Sequence, residues 1–337
     1  MPTIGEIVEF LQAEDSVLQL VEGANSTIIH RPAPIAEAVA GEVSFCGATA
    51  RNPQQLLDRT RASLLIVERS IPFDEKRLAQ AGIQAVVLRD NARLDFIRVV
   101  NRFFAPPRPQ GIHPTAVISP TARIAPDVYI GAYCVIGEAT IGQGTVIHSG
   151  VHIYDGVYIG RNVTIHSGCV IGADGFSFER NEAGELEKFP HVGGVVIEDD
   201  VEICALTHVA RGTLGDTFIG QGTKIDSFVH IAHNVRIGRH CAIVSHAMLG
   251  GGLTLGDFSW VAPSACLRDR INVGSYATVG LGAVVTKDVP DGITVMGAPA
   301  RPIEEQKRLL RRLSDLAADE QAAASQPPVA TMQVSSV

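Results

Sequence analysis

Aromatic residues make up only 5% of the 337-residue chain, which contains a single tryptophan. A core built on large rings is therefore excluded, and an aliphatic filling is expected. Paired cysteine spacing is missing too: Cys46, Cys134, Cys169, Cys204, Cys241 and Cys266 are scattered, with no Cys-x-x-Cys. Without that spacing neither a cysteine-rich zinc module nor a redox dithiol is signalled, and reduced thiols are the expected state. No apolar run reaches the roughly 18 residues that span a bilayer, and no basic stretch followed by an apolar one opens the sequence. No transmembrane segment is expected, and a cytoplasmic location is. Positive charge is also in deficit. The formal net charge of −8 argues against a nucleic-acid partner, because phosphate binding needs a basic surface.

What the sequence has in quantity is a period of six. Aliphatic residues recur at Ile112, Ile118, Ile124, Ile130 and Ile136, then at Ile141, Ile147, Ile153, Ile159, Ile165 and Ile171. After a long gap come Ile197, Ile203 and Val209, and then an unbroken run from Ile219 through Ile225, Ile231, Ile237, Ile243, Leu249, Leu255, Val261, Leu267, Val273 and Val279 to Val285. Six matches neither the 3.6 of a helix nor the 2 of a half-buried strand, so it describes a repeating solenoid unit. Each hexapeptide reads as a short strand and a turn, and three of them close a triangular coil with the aliphatic side chains stacked inside. The twenty-six positions amount to about nine coils, roughly 40 Å tall at a strand spacing of ~4.8 Å. Glycine often follows the aliphatic position, as at Gly131, Gly142, Gly220 and Gly238, where it is expected to ease a tight corner.

Residues 1–104 lack this lattice and read as a small α/β domain, with helical spacing near 4–11 and 96–104 and β-rich runs at 64–67 and 85–88. Residues 105–111 form a proline-rich linker, and 112–300 the β-helix. Within it, residues 172–194 are an excursion that no coil requires. Phe176, Phe178 and Phe189 favour an ordered loop that covers a site. A C-terminal helix is expected over 301–320, with Pro302 in its first turn and Ile303, Leu309, Leu310, Leu313 and Leu316 as its apolar stripe. Residues 321–337 are expected to be disordered.

The densest polar interruption of the lattice is Asp226-Ser-Phe-Val-His230-Ile-Ala-His233-Asn234. His233 stands two places after an inward position and is therefore expected at a corner, open to a cleft. Asp226, seven residues earlier, lies about one face away, where a carboxylate could orient the imidazole. Gly251, eighteen residues later, falls one coil above, where its N–H could donate to an oxyanion. The set suits acyl transfer, with His233 taking a proton from an amine or hydroxyl that attacks a thioester.

The tandem Ile-Gly hexapeptides resemble those of the hexapeptide-repeat acyltransferases. The resemblance implies a mainly β fold: a left-handed parallel β-helix with a small N-terminal α/β domain and a C-terminal helix. More narrowly, the strings IGADGFSF at 171–178, RGTLGDTFIG at 211–220 and IDSFVHIAHNVRIG at 225–238 resemble the UDP-3-O-(3-hydroxyacyl)glucosamine N-acyltransferases of lipid A biosynthesis. That family is trimeric, with active sites between adjacent prisms, and moves a 3-hydroxyacyl chain from acyl carrier protein to the amine of a UDP-glucosamine derivative. A homotrimer, an acyl carrier protein partner facing the basic C-terminal helix and a UDP-sugar substrate are thus implied, with no metal and no bound cofactor. Carried over by position, His233 is the base, Asp226 its carboxylate partner and Gly251 the oxyanion amide. Substrate contacts fall on Asp174, Phe176, His230, Asn234, His246 and Arg270, and a uracil contact on Phe45 of VSFCG.

The chain departs from that pattern at several places. Arg270 replaces a histidine, His230 and His246 stand where Gln and Gly are common, and Ala210 replaces an aspartate. No Asn-Pro-x-Tyr follows Phe45. The closing stretch 283–303 resembles the coenzyme-A-dependent acetyltransferases of the same fold, in which Gly297, Pro299 and Ala300 would lie beside a pantetheine arm. Acyl-CoA as donor to another nucleotide-linked amino sugar therefore stays open. Two further readings also stay open: a zinc hydratase resembling the γ-carbonic anhydrases, drawing on His208, His230, His233 and His246, and a scaffold without activity.

Overall fold

The structure, a computed structural model, describes residues 1–324, with side chains placed as far as 317. The chain divides into two compact units, the first being Met1–Pro107 and the second beginning at Arg108. The division falls inside the proline-rich segment read as a linker.

In the first unit, helix α1 (Ile4–Phe10) starts at a capping box in which Thr3 and Glu6 satisfy each other's backbone N–H. A five-stranded sheet follows, built from β1 (Val17–Gln19), β2 (Arg31–Pro32), β3 (Glu42–Cys46), β4 (Leu64–Glu68) and β5 (Ala85–Arg89) in the order β1-β5-β4-β3-β2. Strands β2 to β5 are parallel, and β1 closes one edge antiparallel. Its central strand reads as a continuous apolar run because both faces are covered. Ile4, Ile7 and Val99 of α4 (Ala92–Phe103) bury one face, while Leu57 of α2 (Pro53–Arg59) and Leu78 of α3 (Glu75–Gln80) bury the other. Helix α4 begins before the expected residue 96, because the Asn91 side chain accepts from the Leu94 N–H at 3.0 Å and caps it.

The second unit is the expected three-walled prism, whose sheets have eleven, nine and eight strands. Wall 1 stacks Ile130, Ile147, Ile165, Ile203, Ile225, Ile243, Val261 and Val279. Wall 2 stacks Ile136, Ile153, Ile171, Val209, Ile231, Leu249, Leu267 and Val285, and wall 3 carries the remaining column from Ile124 to Val273. From Ile130 to Val285 every lattice position is buried, whereas Ile112, on the open first coil, is 52% exposed. The glycines after the aliphatic positions serve a purpose other than the expected one. A Cβ on Gly220 would lie 2.6 Å from the Gly238 carbonyl carbon of the next coil, so the constraint is close approach between coils. The positive φ angles sit instead on corner residues, many of them large, such as Phe228, His246, Phe258, Arg270 and Tyr276.

The last coil closes with the pair Thr294–Met296 and Arg301–Pro302, antiparallel to each other. Pro302 is thus in a strand, not in the first helical turn, and helix α5 runs over Ile303–Ala324. It extends beyond the expected end at 320, so residues 321–324 are helical, and the rest of the segment read as disordered lies outside the described residues. No described helix is long and apolar enough to cross a membrane. All six cysteines are unpaired.

Each lattice side chain touches its counterparts above and below, so truncation leaves a cavity in a stack with no freedom to collapse along the axis. Ile231→Ala is expected to cost about 2–5 kcal/mol, read from the midpoint and slope of urea denaturation.

Candidate active site

The three breaks in the lattice fall between Ile136 and Ile141, Ile171 and Ile197, and Val209 and Ile219. All three are at the corner where wall 2 turns into wall 3, in successive regions of one edge. His233 occupies that same corner in the coil directly above, between Ile231 and Ile237. The wall registers on either side are kept: Ile159 pairs with Ile197, and Ile197 with Ile219. The inserted residues therefore project from one edge with the ladder of wall 3 intact, and wall 2 takes up the departure in an irregularity between Ile171 and Ala173. Residues 172–194 form an antiparallel hairpin, Phe178–Arg180 with Leu186–Lys188, and the shorter insertion is tied to its base by Val192 N–H donating to the Thr213 carbonyl at 2.7 Å.

These loops fix the imidazole. His233 Nδ1 lies 2.9 Å from Asn234 Oδ1, which also accepts from the Thr213 N–H at 3.2 Å and the Thr213 hydroxyl at 3.0 Å. A backbone N–H can only donate, so the Asn234 atom is the amide oxygen. Nδ1 must then carry the ring proton, which leaves the lone pair on Nε2. Nε2 faces Gly251, where a Cβ would come within 2.9 Å of it. The Gly251 N–H has no hydrogen-bond partner among the described residues. Gly175 from the hairpin closes the other side, since a Cβ there would lie 2.9 Å from the ring's Cδ2. A proton acceptor and a free N–H donor thus share a cleft of about 540 Å³, lined also by Asp174, Phe176, His230 and Arg270.

His191 was not among the residues singled out in the sequence. It is buried, edge-on to His233 with ring centroids 5.5 Å apart, and neither of its nitrogens has a partner among the described residues. Burial pushes its pKa down, opposed by Asp174 and helped by the nearness of His233. A second cleft, of about 500 Å³, continues past Phe178 and Phe189.

The other expected residues divide. Asp174 pairs with Lys188 of the hairpin, Phe176 packs on Phe178 with ring centroids 4.8 Å apart and planes tilted by 56°, and His230 stacks on His208 at 5.1 Å in parallel planes. Burial lowers the pKa of both stacked histidines, and His230 lowers that of His208 further. Arg270 brings to the cleft a guanidinium with no ion pair among the described residues.

His246 does not join them. It stacks on Phe228 at 4.9 Å at the opposite edge of wall 2, so within one chain the four histidines of the hydratase reading do not converge. Asp226 is at that opposite edge as well. Its carboxylate accepts from the Ser227 N–H at 2.7 Å and the Ser245 N–H at 3.1 Å and does not touch His233. Within one chain the orienting acceptor is Asn234, not Asp226. Gly297 and Ala300 bond to Val284 at the top of wall 2, at 3.0 and 2.7 Å, and there they close the prism. Phe45, in the first unit, stacks on Phe96 at 4.8 Å and lines a cleft of about 650 Å³ at the carboxyl ends of β3, β4 and β5, the usual ligand position of a parallel sheet.

Three walls of parallel two-residue strands repeating every six residues define a class, and the six-repeat bacterial transferase hexapeptide pattern matches residues 138–173 and 216–251. These two segments carry the repeat of the hexapeptide transferases. Among those transferases, the chain's matched segment is similar to UDP-3-O-acylglucosamine N-acyltransferases. The protein of that name from Methylobacterium nodulans is 44% identical over 164 residues, 49% of this chain and 46% of the relative. The one from Methylorubrum populi is 42% identical over 158 residues, 47% of this chain and 45% of the relative. The match thus spans about half the length of these curated relatives. Among solved structures, the UDP-N-acetylglucosamine acyltransferase from Campylobacter jejuni superposes with a TM-score of 0.52 at 27% identity, over 57% of this chain and 73% of that one. The corresponding enzyme from Bacteroides fragilis gives 0.52 at 26% identity, over 59% and 78%.

The Lys188 ammonium, hydrogen-bonded to Asp174, holds that carboxyl below the ordinary carboxylate range. With the folded pKa lowered, the pair stabilises the hairpin above the ordinary value and is lost as pH falls through the folded one. In Lys188→Met the Asp174 carboxyl is expected to titrate at higher pH than in the parent protein, followed by side-chain carboxyl NMR.

Proposed function

We propose that the chain transfers a 3-hydroxyacyl group from an acyl carrier protein thioester to the amine of a UDP-3-O-acylglucosamine, as in lipid A assembly, with His233 as general base. The observation that carries this reading is the pairing of an Nε2 lone pair with the unpartnered Gly251 N–H in one cleft. Nε2 takes the proton as the amine attacks the thioester carbon, and the Gly251 N–H receives the charge that develops on the carbonyl oxygen. Collapse of the tetrahedral adduct expels the thiolate, which leaves with the proton from the imidazolium. Arg270 offers a permanent cation to a substrate rich in phosphate. Arg308, Arg311 and Arg312 of α5, which form no ion pair among the described residues, suit an acidic carrier protein.

The carboxylate partner follows from the same reading. Asp226 and His233 stand at opposite edges of wall 2, so Asp226 reaches a base only in a neighbouring copy, as in a trimer with sites between prisms. Asn234 then sets the tautomer within the chain, and Asp226 stabilises the imidazolium from outside it.

His233→Ala is expected to lower transfer from 3-hydroxyacyl carrier protein to UDP-3-O-acylglucosamine by about 10²–10⁴-fold with unchanged thermal unfolding, and Gly251→Ala to lower it as well, because the added Cβ would come within 2.9 Å of Nε2. Acyl-CoA assayed in parallel identifies the donor, and near-normal turnover of the His233 variant rejects the base. Co-assembled His233→Ala and Asp226→Asn chains are expected to regain activity that neither has alone. No recovery on mixing would place both groups in one chain.

A further inference from the structure

At the edge of walls 1 and 2, in the coils below Asp226, the chain carries side chains that the proposed reaction does not use. His148, His166 and Cys204 each follow an inward residue in successive coils, and Glu202 points outward beside them. His166 Nε2 is 3.1 Å from Glu202 Oε1, and these two atoms and Cys204 Sγ all lie within 4.8 Å of one another. We propose that His166, Glu202 and Cys204 form a binding site for one zinc-class divalent cation, with a fourth position open.

Several features of this cluster point to a ligand rather than to packing. The first is that the donors are not committed elsewhere. Cys46, Cys134, Cys169 and Cys241 each donate their thiol to a backbone carbonyl, while Cys204 and Cys266 Sγ make no hydrogen bond among the described residues, and of these two only Cys204 has other donor side chains beside it. Glu202 is in register with Lys224 on the next strand, yet that ammonium donates to the Asp200 carbonyl at 2.7 Å and leaves the carboxylate to His166 alone. The second is orientation. The His148 ring stacks on His166 at 4.9 Å and 16°, which limits rotation of the His166 ring.

The donor chemistry narrows the ion. One imidazole nitrogen, one carboxylate oxygen and one thiolate suit zinc or cobalt and not calcium or magnesium, which take oxygen ligands. Tetrahedral zinc with bonds of about 2.0–2.3 Å needs donors about 3.3–3.8 Å apart. The nitrogen and oxygen are already that close, and the half-exposed side chains can bring the sulfur in. On binding, the metal takes the place of the proton between Nε2 and Oε1, and the thiol releases its proton to solvent. Asp226, one coil above, is held by the Ser227 and Ser245 N–H groups and is not counted as a ligand.

The site does not depend on the acyl-transfer reading and is tested without an assay of turnover. Full-length protein, stripped with a chelator, is titrated with Co²⁺ and followed by absorption. One equivalent is expected to give tetrahedral d–d bands and a sulfur-to-cobalt charge-transfer band. That band is expected to vanish in Cys204→Ser, and binding to weaken at least tenfold in His166→Ala and Glu202→Gln. As a check that needs no variant, Zn²⁺ is expected to protect Cys204 of the unaltered protein from iodoacetamide, located by peptide mass. Absence of saturable Co²⁺ binding, an undiminished charge-transfer band in Cys204→Ser, or alkylation of Cys204 unaffected by Zn²⁺ would each overturn the proposal.

Discussion

The structure of the second unit depends on the stacking of one aliphatic residue per hexapeptide on its counterpart one coil away, locked by parallel backbone hydrogen bonds. The residue column and the ladder enforce each other. A strand that slipped by one residue would turn its Ile or Val outward and a polar neighbour inward. Close approach of adjacent coils adds a second restraint, because a side chain at Gly220 would collide with the backbone above it. With both in place, a position in the sequence translates into a height and an edge on the prism.

That translation decides where chemistry can be assembled. Three walls give three edges, and groups at one edge approach each other across coils, as Gly251 approaches His233. Groups at opposite edges of a wall do not, however near they are in sequence, which is why seven residues separate Asp226 from His233 without bringing them into contact. The edge of walls 2 and 3 gathers the insertions, Asn234 and the two glycines that press on the imidazole. The edge of walls 1 and 2 gathers Asp226, Cys204, His166 and the Phe228–His246 stack.

Legibility in the sequence followed the period. Every wall residue from Ile130 to Val285 could be assigned from spacing alone, as could the corner location of His233 and the height of Gly251. The edge of Asp226 is contained in the same count: it follows Ile225 of wall 1 and His233 follows Ile231 of wall 2, so nearness along the chain is not nearness in space. His191 and Thr213 could not be placed, since both lie in insertions where the period is suspended and a side chain's destination depends on contacts formed after folding. A further signal lies in the lattice itself: counted in threes along the aliphatic positions, each phase break follows a residue of wall 2, and so does His233. Outside the prism, local rules carried less far. Asn91 started α4 earlier than its apolar pattern suggested, and Pro302 was drawn into a strand by pairing with Val295.

The hairpin over 172–194 leaves the wall at Ile171 and rejoins it at Val195 with the pairing of wall 3 intact. The pairing of wall 3 therefore does not fix the length of this segment. A lineage can lengthen, shorten or exchange this segment while the aliphatic column goes on stacking unchanged. Selection on what enters the cleft can act there without being paid for in the stability of the prism.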